Sequence, residues 1–131
     1  MANTHSRMIR DAGLTTAAKA MHTTKADGAS IDLGQVLGGL IEGCVCELVS
    51  SASDATTGKI CTYKLEDSAD NSTFAAVDPA VTTTITAADS ALAAKTVLFR
   101  LPPNVKRYIR IAQTGDTLGT VTGTFTLAVL T

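Results

Sequence analysis

A chain of 131 residues is one domain's worth of polypeptide, long enough to remove about two-thirds of its extended-chain surface from water and to fold without staples. Lys and Arg number 11 against 12 Asp and Glu, and a net charge of −1 excludes a global field that would draw the chain to nucleic acid or to an anionic membrane. A hydrophobic fraction of 45% with only 4% aromatic and no Trp predicts a core of Val, Leu, Ile and Ala, and leaves few rings on which a ligand could stack.

Residues 1 to 40 read as an N-terminal arm and entry segment, and residues 41 to 131 as a β-sandwich, within a single domain. The opening Met1 to Gly13 is polar where a secretory signal would be apolar, and nothing approaches the run of about 18 apolar residues that spans a membrane. The product is therefore expected to stay in the cytoplasm where it is made, with Cys44, Cys46 and Cys61 reduced. Met8, Ile9 and Leu14 are apolar residues in this polar arm, awkward in solvent unless a neighbour covers them or the arm packs on its own sandwich. Ala17 to Met21 reads as a helical turn or short strand and Lys25 to Ala29 as a turn, after which Ile31, Leu33 and Val36 lead into the core.

From Gly43 the strand signals become regular. Cys44, Cys46 and Leu48 alternate with Val45, Glu47 and Val49, and Cys61, Tyr63 and Leu65 alternate with Thr62, Lys64 and Glu66. Polar stretches at 50–58 and 67–73 separate them from their neighbours. Thr-rich Val81 to Ala87 and the run Thr96 to Leu101 are further strands, with a brief helical turn expected from Asp89 or Ser90 between them. The clearest alternation is the last: Val121, Gly123, Phe125, Leu127 and Val129 on one face, with Thr122, Thr124, Thr126 and Ala128 on the other. Together with Tyr108 to Ala112, and with Gly115-Asp116 and Gly119 between, it predicts an antiparallel ribbon. At least six strands without a sustained helical period make an all-β fold, a jelly-roll-like antiparallel β-sandwich.

Clusters that could carry chemistry have simpler readings. Cys44 and Cys46, two apart on a strand, share a face with Leu48 and read as small core residues; structural zinc wants four ligands, and neither His5 nor His22 stands near. With only those two histidines, both in the irregular N-terminal region, a nucleophilic site has no base to hold, so no enzyme and no cofactor are expected. Glu66, Asp67 and Asp70 could hold calcium loosely, but such residues are what a turn selects anyway. Arg100, Lys106, Arg107 and Arg110 form a basic cluster around Pro102-Pro103 that lacks the interleaved aromatics of a single-strand binder. Lys106 and Arg107 are expected to cap a strand start, with Arg100 and Arg110 pointing outward on one face toward carboxylates of a partner.

The order of Met8 to Gly13, Lys64 to Phe74 (KLEDSADNSTF), Tyr108 to Ile111 (YIRI) and a Gly/Thr-rich closing strand resembles the small capsid cement, or decoration, proteins of tailed bacteriophages related to the cement protein of a Bordetella phage. The resemblance spans nearly the whole chain. It implies a jelly-roll subunit that forms a homo-dimer or homo-trimer on the outer surface of an HK97-type head and bridges neighbouring major capsid proteins, with no catalytic residues. Met8, Ile9, Arg10, Leu14, Arg100, Arg107 and Arg110 are then the candidate capsid or subunit contacts, and removing residues 1 to 14 is expected to abolish attachment without unfolding the sandwich. The competing readings are a tail-tube or head-completion protein and a carbohydrate-binding β-sandwich, the latter short of rings.

Overall fold

A computed structural model describes residues 10–35 and 44–130, and within them the regular elements are strands and one 3-10 turn at Leu33–Gln35, joined by loops. The strands are β1 (Arg10–Thr15), β2 (Lys19–Ala20), β3 (Lys25–Asp27), β4 (Ile31–Asp32), β5 (Val45–Ser50), β6 (Ser53–Asp54), β7 (Ile60–Ser68), β8 (Ala75–Ala76), β9 (Thr82–Thr86), β10 (Ala91–Leu92), β11 (Lys95–Arg100), β12 (Tyr108–Gly115) and β13 (Thr124–Leu130). A first antiparallel sheet runs β1-β13-β5-β11, with β2 also on β13. A second runs β3-β12-β7-β8, with β4 on β12 and β9 on β7, and β6 and β10 form a small ribbon.

The period-two patterns put the expected residues inside. Cys46 and Leu48 of β5 and Phe125, Leu127 and Val129 of β13 face Cys61, Tyr63 and Leu65 of β7 and Ile109 and Ile111 of β12, all buried. Where the sheets face each other, Tyr63 reaches across. Its hydroxyl lies 2.7 Å from Ser50 Oγ, and its ring meets Phe125 at 5.2 Å between centroids, tilted by 60°. Ser50 and Phe125 are cross-strand partners in the first sheet, so one side chain of the second sheet locks onto a pair of the first.

The arm reading is corrected from Arg10 onward. Residues 1–9 and 36–43, with Met8, Ile9 and Val36, lie outside the described residues. Beyond Ile9 the chain is sheet: β1 pairs β13, with Arg10 opposite Leu130 and Thr15 opposite Ala128, and β3 and β4 pair β12. Leu14 is 4% exposed in the chain's own core, so it is not a contact held out for a neighbour, and removing residues 1 to 14 would take away a strand. Apolar residues spaced through a polar segment found their burial within the molecule.

Nor is the C-terminal third a ribbon. β12 pairs β3, β4 and β7 in the second sheet, whereas β13 pairs β1, β2 and β5 in the first. The eight residues between them cross the end of the sandwich and plug it with Leu118, which is fully buried; its N–H donates to Thr23 O and its O accepts from Thr56 N. An apolar residue inside the connection outweighed its turn-like glycines. Gly123 closes the crossing where a Cβ would come within 2.7 Å of Ser53 Cβ and 2.9 Å of Met21 Cε, so only glycine fits. The helical turn expected near Asp89 is also absent. Asp89 and Ser90 have φ of 52° and 60°, and Ala88 and Ala91 exchange both backbone hydrogen bonds, a two-residue hairpin turn.

Tyr63→Phe keeps the ring and leaves Ser50 Oγ without its buried partner, so chemical denaturation should show a loss of about 1–2 kcal/mol. In the Ser50→Ala background the same substitution should cost clearly less, because the pair is lost only once; equal costs in the two backgrounds would disprove the link.

Candidate interaction surface

With both inner faces packed, function is left to outer faces, edges and loops. The outer face of the second sheet is built round Arg110. Its Nε donates to Glu66 Oε1 at 2.8 Å on the facing β7, its Nη2 lies 3.6 Å from Asp27 Oδ2 on β3, and its guanidinium carbon sits 4.0 Å from the centre of the Phe74 ring. Lys25 Nζ extends the row, 3.9 Å from Asp27 Oδ1. Register explains the assembly, since Arg110 is opposite Glu66 and Asp27 lies opposite Ala112, one place away on the same face. Arg110 is thus a tie between three strands and not an outward hand for a partner.

Arg107 is exposed but also committed. It makes a bidentate pair with Asp32, at 2.8 and 2.9 Å, and lies 5.2 Å from the Tyr108 ring. That guanidinium, with the Gly34 N–H, holds the Asp32 carboxyl below its ordinary range. The backbone N–H of Lys106 donates to Asp67 Oδ2 at 3.0 Å, which ties down the approach to β12 as expected of a strand start. Arg100 ends β11 in the other sheet, so Arg100 and Arg110 share no face and the basic cluster read along the sequence is dispersed in space.

The acidic turn is equally spent. Glu66 serves Arg110 and Asp67 serves Lys106, while Asp70 Oδ1 accepts from Ser68 Oγ, Ser72 N and Thr73 N at 2.8 to 3.0 Å. Those donors push the Asp70 carboxyl down to about 2. Among the described residues no group of three or more His, Cys, Asp or Glu is placed to hold a metal. Cys46 and Cys61 lie in the core, where burial pushes the Cys46 thiol up to about 12 and raises that of Cys61. His22 is exposed, and its ring Nδ1 meets only Thr24. Its backbone is held instead by the buried Gln113 amide, which accepts from His22 N–H and donates to His22 O at 2.9 and 3.0 Å.

The rings are also used. Tyr63 and Phe125 are core, Phe74 and Tyr108 lie under Arg110 and Arg107, and Phe99 is half-buried against the core. An open cleft lined by Asp54, Ala55, Thr56, Thr57, Ser90 and Thr120 contains no ring, so neither it nor the sheet faces offer a sugar the stacking platform it needs. The outer face of the first sheet is different. Thr96 and Leu98 of β11 and Val45 and Val49 of β5, with Leu130 of β13, make it an apolar strip round a buried Glu47, and Leu98 is 60% exposed. Sequence reading missed it because Lys95 to Arg100 is apolar on both faces and shows no alternation to say which side is wet.

A family model described as Bbp16 matches residues 14–129, which takes in the described sandwich from Leu14 to Val129. The search of curated proteins found no match.

Because Asp70 is held well below the ordinary 3.8, the folded turn is favoured at all pH above the unfolded value, and that contribution disappears as pH falls through about 2. An NMR titration of the Asp70 carboxyl carbon should therefore have its midpoint near 2. A midpoint near 3.8 would show that the turn hydrogen bonds do not form.

Proposed function

The chain belongs to the Bbp16 family of Bordetella phage proteins, and from that premise we propose that this phage structural protein is a capsid cement protein, non-catalytic, bound to the outer surface of the head and bridging neighbouring major capsid proteins. The observation that carries the reading is the family match over residues 14–129, which covers the sandwich and so concerns the whole domain. The chemistry of the sandwich agrees. Arg107 and Arg110 are paired with carboxylates on the second sheet, the Cys46 and Cys61 thiols are buried, and the outward groups include threonines on one sheet and an apolar strip on the other. Such surfaces suit recognition by shape and area.

The mechanism in this reading is mass action summed over a lattice. Each copy that binds the closed shell and not its open or dissociated forms stabilises it, and a copy bridging two capsid proteins makes the second contact intramolecular. Modest contacts then suffice. Of the candidate contact residues, Arg107 and Arg110 already have intramolecular carboxylates and Leu14 is core, so the reading rests on Met8 and Ile9 ahead of β1 and on the apolar strip.

A deletion that tests the contacts must stop before β1. Removing residues 1–9 should leave the thermal unfolding midpoint within a few degrees of the full chain, while binding to heads that lack the protein, measured by co-sedimentation, is lost. Undiminished head binding by the shortened chain would count against these residues as the contact, and failure of the full chain to bind would count against the cement reading itself.

A further inference from the structure

We propose that the groove between β2 and β3 is a binding site for a phosphate group, held by the ammonium groups of Lys19 and Lys25 and by the Nε2–H of His22. The two strands follow one another in the chain but belong to different sheets. β2 pairs β13 in the first and β3 pairs β12 in the second, so the groove runs along one side of the sandwich, between the edges of the two sheets. Lys19, His22, Lys25 and Asp27 line it over the buried Met21 and Ala26.

His22 is exposed, yet its place is set from the core. Gln113 is fully buried, and its side-chain amide accepts from His22 N–H at 2.9 Å and donates to His22 O at 3.0 Å. A buried amide is costly unless satisfied, and here both of its bonds are given to the backbone of one surface residue. The ring is oriented as well. Thr24 N–H donates to His22 Nδ1 at 3.2 Å, which makes Nδ1 the acceptor and leaves the proton of the neutral ring on Nε2. An N–H donor there suits an anion and turns away a metal ion, which would need the Nε2 lone pair. The lysines have charge to offer. Lys19 makes no ion pair among the described residues, and Lys25 has only a loose contact with Asp27 at 3.9 Å. Asp27, the carboxylate in the lining, is also drawn to Arg110 at 3.6 Å, so two lysines against one aspartate leave the lining positive. Two ammonium groups and one N–H call for at least three acceptor oxygens, which a phosphate has and a carboxylate lacks. Lys19 rides on the first sheet, and Lys25 and Gln113 on the second, so a bound phosphate would tie together two sheets that share no strand. Free phosphate ion and a small phosphate monoester carry the same chemistry. The inference goes beyond the cement reading and holds whether or not the protein sits on a shell.

An NMR titration of the full chain with sodium phosphate at neutral pH tests it, with sodium chloride at matched ionic strength as the control. Phosphate should shift the amide signals of Ala20, His22 and Lys25 saturably, with a Kd in the millimolar range, and should raise the thermal unfolding midpoint, because it binds the folded chain only. Lys19→Met should weaken binding about threefold, as expected for one exposed charge contact. The Lys19→Met/Lys25→Met chain should remain folded and show no saturable shift, while Lys106→Met should bind as the parent does. Glycerol phosphate in place of phosphate separates the two sources: tighter binding marks a monoester as the ligand, and weaker binding marks the free ion. Shifts that do not saturate, that chloride reproduces, or that persist undiminished in the folded double variant would overturn the proposal. Head binding by the double variant reports separately on the cement reading.

Discussion

The molecule depends on how two sheets that share no strand are kept in one relative position, and the contact that does this is Tyr63 against Ser50 and Phe125. Burying apolar area would bring the sheets together at many offsets, because that attraction has no direction. A hydroxyl that must find Ser50 Oγ at 2.7 Å, on a ring that must also lie against Phe125, admits few. With that offset set, the crossing from β12 to β13 can be spanned by eight residues and plugged by Leu118, and the core closes round Cys46, Leu65, Ile109 and Leu127.

The same logic governs the outer surface of the second sheet. Arg110 joins β12 to β7 and β3 through Glu66 and Asp27 over the Phe74 ring, and Arg107 joins the start of β12 to β4 through Asp32. These pairs are partly or fully solvent-exposed and each is worth little by itself. Their role is positional: they settle which strands neighbour β12 and in what register. That face is cross-linked by charge pairs, whereas the first sheet turns an apolar strip and the exposed Leu98 outward. The asymmetry between the two sheets agrees with the proposed role on the phage head.

Much of this could be read from the residues in order. Alternation identified β5, β7, β12 and β13 and the faces they bury, and the placing of cysteines in phase with Leu48 and Leu65 marked Cys46 and Cys61 as core. What failed did so for identifiable reasons. Period-two patterns locate strands but not their partners, so β12 and β13 looked like a ribbon when Leu118 belonged to the core between them. Asp89-Ser90 has the composition of a helix start and of a tight turn alike, and only the left-handed φ values separate the two. Arg100, Arg107 and Arg110 are close along the chain yet separated by the fold, and the carboxylates that claim the last two come from Asp27, Asp32 and Glu66, at distances in sequence that no local pattern signals. Leu98 escaped notice because its strand is apolar on both faces.

In the proposed function this protein acts through extended surfaces repeated many times over a phage head. The measurement that bears on it most directly is the number of copies of the chain per purified virion, by quantitative mass spectrometry against the major capsid protein. A ratio near one chain per capsid subunit or per small group of them, amounting to hundreds per particle, is what the account predicts. A handful of copies, or none, would contradict it.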